Sequence, residues 1–174
     1  MSGQCVILMG VSGTGKSTVG EALARAMQAK FIDGDDLHPR QNISKMASGQ
    51  ALTDDDRLPW LERISDVIFS IEQKNESGVL VCSALKKHYR DRLRAGNSNV
   101  RFVWLKGDYE VVLNRMRQRK GHFMPEALLQ SQFAALETPG HDEPDIIPVD
   151  IIPTVDLIVS RSLALLASTH PANN

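Results

Sequence analysis

The chain has only two cysteines, Cys5 and Cys82, too few to build a disulfide or zinc framework. Both fall in short apolar runs that read as buried strands, where a thiol acts as a small hydrophobe, and a reducing cytoplasm is the expected compartment. Long hydrophobic stretches are also missing. No uninterrupted apolar run exceeds that of Cys5–Met9, whereas a membrane-spanning helix needs roughly 20 such residues. No membrane association is expected, and the first residues carry no basic stretch and longer apolar segment of the kind that marks a secretory leader. Charge of one sign is lacking as well: 20 basic residues face 21 acidic ones, a net charge of -1. No global field exists to gather a nucleic acid, so any basic site must be local.

What the sequence does hold is a balanced globular composition, 42% hydrophobic and 24% charged over 174 residues, enough for one compact domain. Short apolar runs at Cys5–Met9, Lys30–Asp33, 79–82, 100–105 and Ile146–Asp150 read as buried strands separated by helical patterns. That alternation implies an α/β fold in three layers, a five-stranded parallel sheet flanked by helices. The first helix is expected to open in a glycine loop and run to about Gln28, and a later one starts near Pro59. Helices are also expected over 86–95, 108–119 and 153–167, with Pro153 in a first turn and 170–174 as a flexible tail. Two stretches, 35–57 and 120–144, break the alternation, and insertions beside a regular scaffold are where function concentrates.

The strongest local signal is Gly10-Val11-Ser12-Gly13-Thr14-Gly15-Lys16-Ser17, which matches the phosphate-binding loop G-x-x-x-x-G-K-[ST]. It lies directly after a strand and opens a helix, the context the motif requires. Glycines let successive backbone N–H groups turn toward phosphate oxygens while the helix adds its positive end. Lys16 is expected to reach the β- and γ-phosphates of ATP and Ser17 to bind Mg²⁺, with Thr18 completing the nucleotide-binding set.

Many proteins with this loop hold magnesium through an aspartate at the end of a second long apolar strand, but the run 79–82 ends in Ser83-Ala84 and offers no acid. The acids follow the strand Lys30–Asp33 instead, in Asp33-Gly34-Asp35-Asp36. Parallel strands end at the same sheet edge, where ligands collect. Asp33 can therefore face magnesium through its waters while Asp35 orients an acceptor hydroxyl and takes its proton. The competing reading makes Asp35 or Asp36 a helix cap.

With these residues in view the chain resembles the bacterial gluconate kinases. The likeness is carried by residues 10–17, by Asp33-Gly34-Asp35-Asp36-Leu37-His38-Pro39, and by Asn42-Ile43-Ser44-Lys45-Met46. It continues through residues 52–61, through Val81-Cys82-Ser83-Ala84-Leu85-Lys86-Lys87-His88-Tyr89-Arg90 and through Gly121-His122-Phe123-Met124. The resemblance implies transfer of the ATP γ-phosphate to the 6-hydroxyl of D-gluconate, the P-loop kinase fold of shikimate and nucleoside monophosphate kinases, and a homodimer. It also implies a single kinase domain over 1–169, with an acceptor-binding insert at about 35–58 and a lid at about 119–127.

A polyhydroxylated anion needs hydroxyl partners and at least one fixed cation. Arg57, near a helix start in the insert, is one candidate, and Lys86 and Arg90, four apart and expected to share a helix face, are two more. His38 joins Asp35 in the same acceptor set, although it could instead cap or pack a turn. Asp54, Asp55 and Asp56 read as helix-start acids behind a Thr53 or Asp54 cap, with Asp56 available to orient Arg57. No histidine pair has zinc-ligand spacing. The basic run Arg115, Arg117, Arg119 and Lys120 ends at Gly121, a hinge position, and resembles the lid of small kinases. In that reading Arg119 contacts the transferring phosphate and Arg115 flanks the adenine. The alternatives are a related kinase acting on shikimate, another sugar acid or a nucleoside monophosphate, and a nucleotide-gated binding protein. The insert is polar and lacks tyrosine and phenylalanine, which disfavours a nucleotide acceptor.

Overall fold

The computed structural model describes residues 3–119 and 125–168. Its strands are β1 (Cys5–Met9), β2 (Lys30–Asp33), β3 (Gly78–Val81), β4 (Val100–Lys106) and β5 (Ile146–Asp150), and they form one sheet in the order β2-β3-β1-β4-β5. Every neighbouring pair is parallel. The helices among the described residues are α1 (Lys16–Met27), α2 (Arg40–Ala47), α3 (Asp54–Gln73), α4 (Lys87–Arg94), α5 (Tyr109–Gln118), α6 (Glu126–Ala135) and α7 (Val155–Ser168), with a 3-10 turn over Gly34–Leu37.

The central strands β1 and β3 are buried along their whole length because both sheet faces are covered there. Side chains alternate along them. On β1, Val6 and Leu8 join Val19 and Leu23 of α1, Val112 and Leu113 of α5 and Ile158 and Leu166 of α7 in one core layer. Cys5, Ile7 and Met9 point to the other side, against Leu61, Ile64 and Ile68 of α3 and Leu93 of α4. The two thiols are buried and burial pushes each up to about 12, so both stay protonated core groups.

Local chemistry moves two helix starts from their expected positions. α3 begins at Asp54, ahead of Pro59, because Thr53 and Asp56 close a capping box: the Asp56 N–H donates to Thr53 Oγ1 at 3.1 Å and Asp56 Oδ2 accepts from the Thr53 N–H at 2.8 Å. α7 begins at Val155 and leaves Pro153 outside, where the Thr154 hydroxyl accepts from the Leu157 N–H. The expected tail 170–174, the hinge Gly121 and the string Gly121-His122-Phe123-Met124 lie outside the described residues.

Candidate active site

Three connections leave the carboxyl edge of the sheet side by side. Asp33, the last residue of β2, is level with Val81 of β3, which is level with Leu8 of β1. Two strand spacings, roughly 10 Å, therefore separate the acidic turn after β2 from the loop after β1. The Gly10 N–H donates to the Ser83 carbonyl at 3.1 Å and ties the intervening loop to the loop after β1.

The glycine loop runs from Gly10 into α1. Gly15 caps the helix at φ 88, a left-handed conformation that a side chain would strain. Thr14 is buried, its hydroxyl donating to the Val11 carbonyl at 2.9 Å. Ser17 and Thr18 are exposed on the first turn of the helix. Lys16 bends back over the loop, and Nζ donates to the Gly10 and Val11 carbonyls at 2.8 and 2.9 Å. Desolvation brings its pKa down to about 8, against the opposing pull of the Cys82, Asp35 and Asp33 groups. The ammonium and both carboxylates thus share one electrostatic neighbourhood.

Asp33 caps the 3-10 turn by accepting from the Asp35 N–H at 3.0 Å. Gly34 is needed for close approach: a Cβ there would stand 2.4 Å from the Val81 carbonyl oxygen. Asp35 opens to solvent, yet protein crowding on the site side, followed by the Asp33 charge, raises its carboxyl pKa. It remains a solvent-reachable carboxylate with a strengthened pull on a proton.

His38 is buried and stacked on Trp60, ring centroids 4.2 Å apart and planes within 14°. The Trp60 indole N–H donates to the Gly34 carbonyl at 2.8 Å, so α3 holds the acidic turn through one side chain. The Asn42 amide donates to the Asp56 carbonyl at 2.9 Å, which fixes its orientation and turns Nδ2 toward His38 Nδ1 at 3.3 Å. Burial lowers the His38 pKa. In the neutral ring the proton then sits on Nε2, a donor suited to a hydroxyl.

Beyond His38 a polar wall continues. Arg57 Nη1 donates to the Leu52 carbonyl at 3.0 Å and to the Tyr89 hydroxyl at 3.2 Å. Lys86 Nζ donates to Asp54 at 3.1 Å, and the Tyr89 hydroxyl makes a short hydrogen bond to the same carboxylate. Arg57 lies 3.9 Å from Asp54. Asp56 faces Lys45 at 2.6 Å rather than orienting Arg57. Its pKa is pushed down to about 2 by that contact and by the capping box.

Arg90 departs from the expected acceptor set. It is fully buried, and all five of its N–H donors are used: Nε and Nη2 on Glu143 at 2.8 and 2.7 Å, Nη1 on the Ala84 and Leu85 carbonyls, Nη2 on the Glu137 carbonyl. No donor remains for a substrate. The helical-face argument for Lys86 and Arg90 fails because Lys86 is the extended N-cap of α4, outside the helix. Arg90 instead supports the loop that carries Lys86, where Ala84 sits at φ 46.

On α5, Arg115 Nη2 donates to the Ile151 carbonyl, next to Ile152, which lines a cleft with Gly107, Val111 and Pro148. Arg119 is exposed at the C-terminal end of α5, and the expected lid continues into 120–124, outside the described residues. Reasoning along the chain overlooked Trp60, Asp54, Tyr89 and Gln132. Tyr89, Asp54 and Trp60 all fall within strings already singled out, without a role assigned to Tyr89 or Trp60 there and with Asp54 read only as a helix-start acid. Gln132 carried no local signal at all.

Residues 12–138 match the family model described as shikimate kinase. The chain is 60% identical over 151 residues to the thermosensitive gluconokinase of Escherichia coli K12, covering 87% of this chain and 81% of that protein. It is 49% identical to the thermoresistant gluconokinase of the same organism over 92% of this chain and 91% of that protein. A solved gluconokinase from Sinorhizobium meliloti 1021 superposes with a TM-score of 0.83 at 47% identity, covering 94% of this chain and 91% of that one. With the phosphate loop, the sheet order and these likenesses in agreement, the chain belongs to the gluconokinase family of P-loop kinases.

Proposed function

We propose that the protein is an ATP-dependent gluconokinase that moves the γ-phosphoryl group of ATP to the 6-hydroxyl of D-gluconate, giving 6-phospho-D-gluconate and ADP. The observation that supports this reading is that the Asp33 and Asp35 turn leaves the same sheet edge as the loop that holds Lys16, in a chain 60% identical to a gluconokinase. Residues 10–18 cradle the phosphates, and Lys16 neutralises charge on the transferring group. Asp35 orients the acceptor hydroxyl and takes its proton as the oxygen attacks the γ-phosphorus and the bond to the β–γ bridging oxygen breaks. His38, Arg57 and Lys86 hold the polyol and its carboxylate. Arg115 flanks the base and Arg119 approaches the phosphates.

Mg²⁺ fits the donor set. The ion would be carried mainly by phosphate oxygens and water, with the exposed Ser17 hydroxyl at the head of α1 and the Asp33 carboxylate at the end of β2 contributing. Bound there, it would neutralise phosphate charge.

A homodimer is part of the same reading, supported by exposed apolar side chains on α7, where Leu157 is 50% and Val155 36% exposed. Cytoplasmic residence is proposed with it; no described helix is long and apolar enough to cross a membrane. Because the matching family model is that of shikimate kinase, shikimate is the acceptor to set against gluconate. A coupled assay of ADP release with D-gluconate, its epimers, shikimate and AMP tests the proposal. Preference for D-gluconate is expected, and preference for shikimate or AMP would overturn it.

A further inference from the structure

The side-chain amide of Gln132, on α6, meets the phosphate loop twice. Its Oε1 accepts from the Ser12 backbone N–H at 2.7 Å, and its Nε2 donates to the Ser12 hydroxyl at 2.9 Å, across 120 residues of sequence. A backbone N–H can only donate, so the amide oxygen must face it and the orientation is fixed by chemistry. The loop's neighbouring carbonyls are held from within, by Thr14 on Val11 and by Lys16 on Gly10 and Val11. Ser12 is held from outside.

α6 is itself anchored at both sides of this contact. Leu129 is buried in the core. Just past the helix, the Glu137 N–H donates to the Leu85 carbonyl at 2.7 Å, Glu137 Oε1 accepts from the Lys87 N–H at 3.2 Å, and the Glu137 carbonyl accepts from Arg90. Through Gln132 and Glu137, α6 and the residue just past its end are therefore tied both to the loop that takes the phosphates and to the segment that carries Lys86.

We propose that Gln132 is a positioning residue for the phosphate donor, its amide fixing Ser12 so that the loop keeps the shape that accepts the nucleotide's phosphates. The proposal rests on the kinase reading above. The residue type follows from the site. Arginine or lysine could not accept from the Ser12 N–H, and alanine would leave that donor without its partner. Glutamate would keep the acceptor but set a negative charge beside a polyanion.

The test combines ADP binding by calorimetry with steady-state kinetics for Gln132→Ala, Gln132→Glu, Ser12→Ala and the Ser12→Ala/Gln132→Ala double variant. Two hydrogen bonds of ordinary net strength correspond to about 5- to 160-fold. Gln132→Ala is expected to weaken ADP binding and raise the ATP KM by about tenfold, with the gluconate KM within about twofold. Gln132→Glu should melt like the parent yet bind ADP less well than the alanine variant, with the deficit shrinking as salt is raised. The double variant should lose little beyond Gln132→Ala alone, as expected for two partners in one contact. Unchanged ADP binding in both Gln132 variants would overturn the proposal, as would a loss confined to the gluconate KM or fully additive losses. If Gln132→Ala does not fold, Gln132→Glu and Ser12→Ala decide. ADP binding does not depend on the acceptor, so a parent protein inactive on gluconate would overturn the acceptor assignment and leave this test intact.

Discussion

Replacing Arg90 by methionine separates two roles that the sequence alone could not distinguish. In the structure the guanidinium is buried, pairs with the nearly buried Glu143 at 2.7 Å and holds the carbonyls of Ala84, Leu85 and Glu137. Methionine keeps the apolar stem but leaves a buried carboxylate short of its partner and the Ala84 and Glu137 carbonyls without this donor, while the Leu85 carbonyl keeps the Glu137 N–H. Breaking a buried pair from one side costs about 3–5 kcal/mol. Arg94 also reaches Glu143 at 2.7 Å, which keeps part of the charge compensated and places the expected loss near the lower end, about 3 kcal/mol. At about 2–4 °C per kcal/mol for a chain of this size, the thermal midpoint should fall by about 6–12 °C. Differential scanning calorimetry reads this directly, and adding Glu143→Leu to Arg90→Met should restore part of the loss by removing the stranded charge. An unchanged midpoint with a sharply raised gluconate KM would refute the reasoning and return Arg90 to the acceptor pocket. The same pair sets an acid limit. Its hydrogen bonds, led by those from Arg90, push the Glu143 carboxyl from its ordinary 4.5 down to about 2. Its stabilisation is complete above about 4.5 and is lost as pH falls through about 2, because the unfolded chain takes up the proton first.

Three further outcomes follow from the site. Asp35→Asn should lower turnover by about 10²- to 10⁴-fold, the usual weight of a general base, while ADP binding stays within a few-fold; unchanged turnover would remove Asp35 from the chemistry. Because desolvation brings the Lys16 pKa down to about 8, ADP affinity should decline as pH rises above that value, where the free protein loses the positive charge. Calorimetry across that range should show the decline in the parent and not in Lys16→Ala, and a flat parent profile would contradict the assignment. Thr53→Ala opens the capping box at the head of α3 and should cost about 1 kcal/mol, read as a drop of a few degrees in the thermal midpoint with little change in the ATP KM. A larger effect on activity than on melting would mean that the α3 start acts on the site more directly than its cap contacts indicate.

The sequence by itself determined whatever is settled over a few neighbouring residues. The apolar runs mark the five strands, most plainly β1 and β3, which are buried along their whole length, since a strand covered on both faces needs every side chain apolar. The spacing from Gly10 to Ser17 fixes the phosphate loop, because its glycines and lysine act on a ligand that the backbone itself encloses. The acids at Asp33 and Asp35 were legible because parallel strands must end at one edge. Only the tertiary structure decided the fate of charged side chains whose partners are distant. Lys86 and Arg90 looked equivalent until the N-cap geometry of α4 put one at the polar wall and the other in the core. Asp54 gathered Lys86 and Tyr89 while its neighbour Asp56 turned to Lys45 and its own cap. The Gln132 contact with Ser12 spans 120 residues and leaves no trace in local pattern. Propensity and periodicity act through the nearest turns of the chain, whereas a polar group's role depends on which partner the folded core brings within hydrogen-bonding reach.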